Sequence, residues 1–412
     1  MIKRNMQWSE GKLHLEEPVA AGAFAKKSAN PANAPLLLKP AGKDYLWGGT
    51  RLNDDFSKNI PMEPLAETWE CSTHPDGPST VVNGPFANAT LAEVLRLHPE
   101  YLGTHPRTNG GLPILIKLID ADKDLSVQVH PDDEYARKHE GGQLGKTEMW
   151  YVLDACKDAS LVYGLRHDMT PEKVRANIEM GTLGRHLLRV KVRKDDVFYV
   201  EAGTIHAIGA GTLVAEIQEN SNLTYRLYDY GRKGRDGRER ELHIDKALDV
   251  ADLKAAKEPR QPMRVLRYRR GCAAELLGRC KYFEVHRMLV NTERCREMVA
   301  FQSDASSFRV LLCVDGCGCI FYAGNGVRPD SENRILPDIL GGSSAGCAAK
   351  YDVPDMSNDL EASGGFPADE GEAGYEPQME VLRFYKGDCI FVPADSVEIR
   401  IHGQAQFLDV RG

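Results

Sequence analysis

Apolar positions in this chain fall mostly into short runs that alternate with polar ones. ILIKLI, LSVQVH, EMWYVL, LVYGL, DVFYV, LVAEIQ and LTYRLY follow one another between residues 114 and 228. Their β-branched and aromatic content, with polar turns between, predicts strands. FEVHRMLV, FRVLLCV, CIFYAG, EVLRFY, CIFVPA and VEIRIHG extend the pattern between residues 283 and 403. So many short strands indicate a sandwich or barrel. Two segments read instead as helices and predict a small helical subdomain in the first half. Thr90 followed by Glu93 opens LAEVLRL with a capping box, and Thr170-Pro171 opens EKVRANIEM, with Gly181 as its stop.

The same pattern divides the chain. Residues 1–33 are rich in Ala, Lys, Asn and Pro without a periodic apolar face, which predicts a flexible N-terminal extension before PLLLKP. Residues 341–378 are rich in Gly, Ser, Ala and acidic side chains, which predicts a disordered, solvated insertion. KDDVFYVEAGTIHAI at 194–208 aligns with KGDCIFVPADSVEIR at 386–400, and the order of strands around each copy recurs. Two β domains are therefore expected, at 34–258 and 259–412. At the position of His206 the second copy carries Glu398, so the second domain is expected to bind no metal.

Composition narrows the partners. With 412 residues, 42% of them hydrophobic, the chain can bury two ordinary cores. A formal net charge of −8 without a Lys/Arg stripe argues against nucleic acid or an anionic membrane surface. No run approaches the roughly 20 apolar residues that span a bilayer, and no secretory signal core is present, so the expected location is cytoplasmic. Ten cysteines at irregular spacing read as reduced thiols. Cys313, Cys317 and Cys319 lack the spacing of a zinc pair.

Strand alternation gathers the candidate chemistry. Ser126, Gln128 and His130 share one face of their strand, and Lys146, Glu148 and Trp150 share one face of another. His206 follows a strand and a glycine-containing turn. Two imidazoles, a carboxylate and an amide carbonyl suit a divalent metal, zinc first, although a single strand histidine is more often a hydrogen-bonded structural residue. LVAEIQENSNLTYRLYDYGR reads as a hairpin that turns near ENSNL, pairing Glu216 with Arg226 on one face. The alternative is an exposed ion pair of little energetic weight. Lys117 inside ILIKLI either snorkels outward or serves a polar interior. The basic loop GRKGRDGRER is either solvated or attracts a phosphate. GGQLGKT resembles a phosphate-binding loop, but its first glycine position is Glu140 and strand-prone EMWYVL follows where a helix should start.

Taken together, LKP, YLWGG, AETWECS, LSVQVHPDD, GKTEMWYVL, AGTIHAIGAG and EIQENSNLTYRLYDYGR closely resemble the type I mannose-6-phosphate isomerases of the cupin superfamily, in their short bacterial form. The likeness runs from about Pro35 to Ala256 and continues more weakly beyond. It implies a mainly β fold of two cupin-type jelly-roll barrels. It also implies one zinc ion per chain on Gln128, His130, Glu148 and His206, with Ser126, Lys146, Glu216 and Arg226 around a sugar phosphate. The implied reaction interconverts mannose 6-phosphate and fructose 6-phosphate through an enediol, without a redox cofactor. Glu216 is the expected base, Arg226 the expected stabiliser of negative charge, and Lys146 with Ser126 the expected phosphate or ring-opening pair. The family usually has proline at the position of Glu201, a departure that touches the turn before His206. Alternatives are an isomerase of another hexose phosphate, such as glucose 6-phosphate, and a non-catalytic sugar-phosphate-binding cupin. Monomer and homodimer are equally compatible with the sequence.

Overall fold

Side chains alternate across the strand Glu148–Ala155, and both of its faces are largely buried. Met149, Tyr151 and Leu153 enter one apolar core, while Trp150 and Val152 enter another. A strand that is apolar on both faces belongs inside a layered sheet. It pairs antiparallel with Thr212–Glu219 on one side and Val197–Val200 on the other.

The structure, a computed structural model, describes residues 33–105, 111–234, 237–261, 264–293, 297–323 and 379–412. The expected extension up to residue 32 and the expected insertion at 341–378 lie outside these. Asn33, placed by the sequence in the extension, is held: its side-chain amide donates to the carbonyls of Ala394 and Asp395, each at 2.9 Å.

Among the described residues the fold is mainly β, in three antiparallel sheets of ten, six and five strands. The six-stranded sheet runs Val197–Val200, Glu148–Ala155, Thr212–Glu219, Ile114–Ala121, Glu67–Cys71, Ala41–Lys43, and the five-stranded sheet runs Tyr225–Tyr228, Val127–Val129, His206–Ala207, Ser160–Leu165, Leu187–Lys191. Ile119, Val152, Val214, Leu161, Ile208 and Val190 fill the space between these two sheets. On the far side of the five-stranded sheet, Val174, Ile178 and Ala247 bring in the helices Pro171–Glu179 and Ile244–Val250. On the far side of the six-stranded sheet lies the core shared with the ten-stranded one, where Ile116, Tyr151 and Ile217 meet Phe283, Phe308 and Val310.

The boundary expected near residue 258 is crossed by a sheet. Leu36–Lys39 pairs antiparallel with Cys389–Val392, placing Leu36 opposite Phe391. The aligned segments at 194–208 and 386–400 do take the same local form. Val152 N–H donates to Asp196 O and Cys313 N–H donates to Asp388 O, while the Asp196 and Asp388 carboxylates accept from Arg193 N–H and Tyr385 N–H. Asp195 and Gly387, at matching positions, both have positive φ, 72° and 100°.

Three expectations are corrected. LVAEIQ and LTYRLY do not form a hairpin: Thr212–Glu219 pairs with Ile114–Ala121 and Glu148–Ala155, whereas Tyr225–Tyr228 pairs with Val127–Val129 in the other sheet. The polar turn carries the chain from one layer to the next. FRVLLCV and CIFYAG are one strand, Arg309–Ala323, because a bulge between Cys313 and Asp315 and Gly316 at φ 81° bend it without ending it. HPDD does more than stop a strand. The Asp132 side chain accepts from Tyr135 N–H and caps the helix Asp133–His139.

Candidate metal and substrate site

Backbone register brings the candidate residues together from two sheets. In the six-stranded sheet Glu216 lies opposite both Trp150 and Lys117, and Gln218 lies opposite Glu148. In the five-stranded sheet Gln128 lies opposite both His206 and Arg226. His130 follows one residue after Val127–Val129, on the same face as Gln128. The turn that presents His206 is anchored to His130, since Gly203 N–H donates to His130 O at 2.8 Å. Gly203 has φ 89°, a conformation that favours glycine. Exposed Glu201, standing where the family usually has proline, leaves this turn closed: Thr204 N–H donates to Glu201 O at 3.0 Å.

Inside the layer the donors converge. His206 Nε2 is 3.3 Å from Glu148 Oε1, His130 Nε2 is 3.6 Å from Glu148 Oε2, and Gln128 Nε2 is 3.3 Å from His206 Nε2. His130, Glu148 and His206 are fully buried, and they are the group of metal-ligating side chains found among the described residues. His130 Nδ1 is 2.7 Å from Leu223 O, and His206 Nδ1 is 2.8 Å from Thr204 O. A carbonyl only accepts, so both rings hold their proton on Nδ1 and turn a bare Nε2 toward Glu148. Burial, joined for His130 by the Lys146 charge, pushes both imidazoles below their ordinary pKa, His206 to about 4, so they stay neutral.

Neither oxygen of Glu148 accepts a well-aligned hydrogen bond, although Lys146 Nζ stands 2.7 Å from Oε2. Burial and then the neighbouring Glu216 charge raise the pKa of Glu148. Such a carboxylate, facing two bare imidazole nitrogens and an amide that can present its carbonyl on exchanging its two ends, suits a zinc-like cation. These four residues fit the metal.

Two buried lysines complete the electrostatics. Lys117 Nζ is 3.2 Å from Glu216 Oε1 and 3.8 Å from Glu67 Oε2, and Lys146 Nζ is 3.6 Å from Glu216 Oε1. Trp150 Nε1–H donates to Glu216 Oε2 at 3.0 Å. Burial opposes the charge on Glu216, but Lys146 and Lys117 outweigh it and pull its pKa down. The expected Glu216–Arg226 pair is therefore replaced by Glu216 with two lysines. Lys117 serves a polar interior. The sequence signal for it is parity, a cation inside an apolar run at the position opposite Glu216.

Arg226 points to the other end of the site. Its Nε–H donates to Ser126 Oγ at 3.2 Å and its Nη1–H to Glu241 O at 3.0 Å. Burial and the nearby Arg240 lower its pKa, a cost that an anionic ligand would offset. The basic loop is folded by ion pairs, with Asp229 holding both Arg232 and Arg240. A cleft of about 240 Å³ lies between this loop and Tyr45, Leu46 and Trp47. GGQLGKT leads into the strand Glu148–Ala155 and not into a helix, so it is no nucleotide-binding loop.

Comparison with known proteins points in one direction. Residues 36–157 match the catalytic domain of type I phosphomannose isomerases. The chain is 50% identical over 220 residues to GmuF of Bacillus subtilis, covering 53% of this chain and 69% of that one. It is 46% identical over 224 residues to the B. subtilis mannose-6-phosphate isomerase ManA, covering 54% and 70%. The crystal structure of a mannose 6-phosphate isomerase from B. subtilis aligns with 92% of this chain and 99% of its own at TM-score 0.70 and 30% identity.

Proposed function

Since this chain belongs to the type I mannose-6-phosphate isomerases, we propose that it interconverts mannose 6-phosphate and fructose 6-phosphate at Gln128, His130, Glu148 and His206, with one zinc ion per chain. The carrying observation is the pair of proton-free imidazole nitrogens, each with only a side-chain nitrogen at 3.3 Å, facing a buried carboxylate that lacks aligned donors. When bound there, zinc supplies Lewis acidity toward the sugar oxygens.

Isomerisation moves one proton between C2 and C1 through an enediol and, in balance, a second proton between the oxygens on those two carbons. Glu216, held ionised by two lysines, takes the proton from one carbon and returns it to the other. Lys146 stands at the reacting end, beside Glu148, where its ammonium assists ring opening and steadies developing negative charge. Arg226 and Ser126 take the phosphate, the guanidinium through its fork of donors. A second reading has an observation in its favour. Glu216 Oε2 accepts from Trp150 and Oε1 faces two ammonium groups at 3.2 and 3.6 Å, whose charge lowers its basicity, so Glu216 would position Lys146 and not move the proton.

Residues 34–258 are read as the catalytic jelly-roll unit and 259–412 as a second, metal-free one, in a cytoplasmic protein. Among the described residues no helix is long and apolar enough to cross a membrane, and the described cysteines are free thiols.

A coupled assay on several hexose 6-phosphates, before and after chelation and zinc return, tests substrate and metal together. Mannose 6-phosphate should be turned over preferentially, and activity should vanish and return with zinc. Glucose 6-phosphate turning over faster would replace the substrate. In Glu216→Gln, exchange of the C2 proton should be lost; full exchange would leave only the positioning reading.

A further inference from the structure

Arginines of the second half gather around one cavity of about 660 Å³, far along the chain from Glu148. Its walls include Arg264, Arg267, Arg269, Arg279, Arg309 and Arg411, and their lining carboxylates are Glu275 and Asp409. Met288 and Phe301 extend its inner surface into the apolar core of this half. Six lining arginines against Glu275, Asp409 and Glu284, which pairs with Arg279 from just outside the wall, leave a surplus of three positive charges.

Internal pairing does not absorb the surplus. Arg309 is held by Asp409 through Nε at 2.9 Å and lies 3.6 Å over the Phe301 ring. Arg264 lies 3.5 Å from Glu275 Oε2 and donates to Asp195 O at 3.3 Å, while Glu275 Oε1 is 2.6 Å from Arg287, so one carboxylate serves two arginines. Arg411 reaches only Glu284, at 3.8 Å, and Asp409, at 4.0 Å, each already bound to another arginine. Among the described residues Arg267 and Arg269 have no ion-pair partner; two apart on the edge strand Arg267–Arg269, they share a face. The Nε of Arg411 is buried without a hydrogen-bond acceptor, and that of Arg264 has Glu275 Oε2 at 3.5 Å without an aligned hydrogen bond. Guanidinium cannot relieve such crowding by losing a proton. Concentrated like charge around a concave surface is a local cost that proteins keep at binding sites.

We propose that this cavity is a second ligand site, one that takes an anion with two adjacent phosphates, whether inorganic pyrophosphate or the diphosphate of a nucleotide. The volume lies in the small-molecule range of roughly 300–1,000 Å³. A single phosphate dianion would offset at most about two-thirds of the surplus, whereas a diphosphate offsets about all of it. The forked donors of arginine match phosphate oxygens bidentately. None of the lining residues belongs to the cluster at Glu148, so occupancy does not compete with the sugar phosphate.

The test is titration calorimetry of the full chain at ~0.15 M salt, where weak surface attraction is screened, using inorganic pyrophosphate, ADP and inorganic phosphate. Pyrophosphate should bind more tightly than phosphate. The double variant Arg267→Ser/Arg269→Ser, on an exposed edge strand, should weaken pyrophosphate about 100-fold, the loss of two charge-assisted contacts, while kcat/KM for mannose 6-phosphate stays at the wild-type value. Arg226→Ala should leave pyrophosphate binding intact. ADP binding tighter than pyrophosphate would support a nucleotide, and equal binding would support the diphosphate alone. No heat with pyrophosphate at millimolar concentration, or loss of binding in Arg226→Ala but not in the double variant, would overturn the proposal.

Discussion

Lys117 shows at the scale of one residue how the site holds its charges. A buried ammonium is tolerated only where carboxylates repay its lost hydration, and Lys117 lies 3.2 Å from Glu216 in a fully buried setting. Lys117→Met should destabilise the fold by roughly 3 kcal/mol, the low end for breaking a buried pair, because Lys146 remains 3.6 Å from Glu216. The double variant Lys117→Met/Glu216→Leu should recover much of that loss, and denaturant titration of both variants checks the coupling. Much of this site was legible in the sequence, because inward-facing positions on a strand recur every second residue and Gln128, His130, Lys146 and Glu148 obey that period. The Glu216–Arg226 pairing was not. Turn chemistry indicates that a chain reverses, but not that Ile114–Ala121 and Glu148–Ala155 take both edges of Thr212–Glu219 and send Arg226 to another sheet.

Elements meet at a junction that gives the molecule a pH dependence. Glu219 ends the strand Thr212–Glu219, accepts from Thr147 N–H at 2.7 Å, and adjoins Asp133 at the start of the helix Asp133–His139. Tyr282 O–H donates to the same Asp133 at 2.7 Å, tying in the second half of the chain. Burial and the Asp133 charge push the Glu219 carboxyl up to about 8 from an ordinary 4.5. In the unfolded chain this group ionises first, so the unfolded state binds fewer protons through that window. Stability from this group is full below about pH 4.5 and falls as pH rises toward about 8. The melting midpoint of Glu219→Gln should therefore fall less between about pH 5 and about pH 8 than that of the wild type. At the same scale, Gly387 stands in the repeated turn with φ 100°, and a Cβ there would come within 2.5 Å of Phe56 O. Gly387→Ala should cost about 1–3 kcal/mol in thermal or denaturant unfolding. The two helices read from Thr90 and Thr170 were legible through their caps, with both side chains accepting from the backbone as expected. The helix Asp133–His139 was missed because one aspartate both stops a strand and caps a helix, and the stop alone accounted for the sequence.

Across the whole molecule, local patterns predicted two similar halves but not how far the two parts of the chain interlock. The recurrence of Lys194–His206 in Lys386–Glu398 is matched by equivalent backbone hydrogen bonds from Val152 and Cys313. Yet Leu36 and Leu38 are strand partners of Phe391 and Cys389, and one apolar core contains Ile116, Tyr151 and Ile217 together with Phe283, Phe308 and Val310. A sequence period shows equivalence between segments; it carries no information about which outer face packs against which. Cutting the chain at residue 258 would strip the six-stranded sheet of that cover and leave Leu36–Lys39 without Cys389–Val392. Each large apolar side chain so exposed costs about 1.5–3 kcal/mol, and a domain's whole stability is only about 5–15 kcal/mol. A fragment of residues 34–258, although it contains every proposed ligand of the metal, should therefore show no cooperative thermal transition by near-ultraviolet circular dichroism. Co-expression with residues 259–412 should restore a soluble pair that melts cooperatively and isomerises mannose 6-phosphate. A fragment that melts sharply on its own would place an independent core inside the first half and make the second half dispensable for folding.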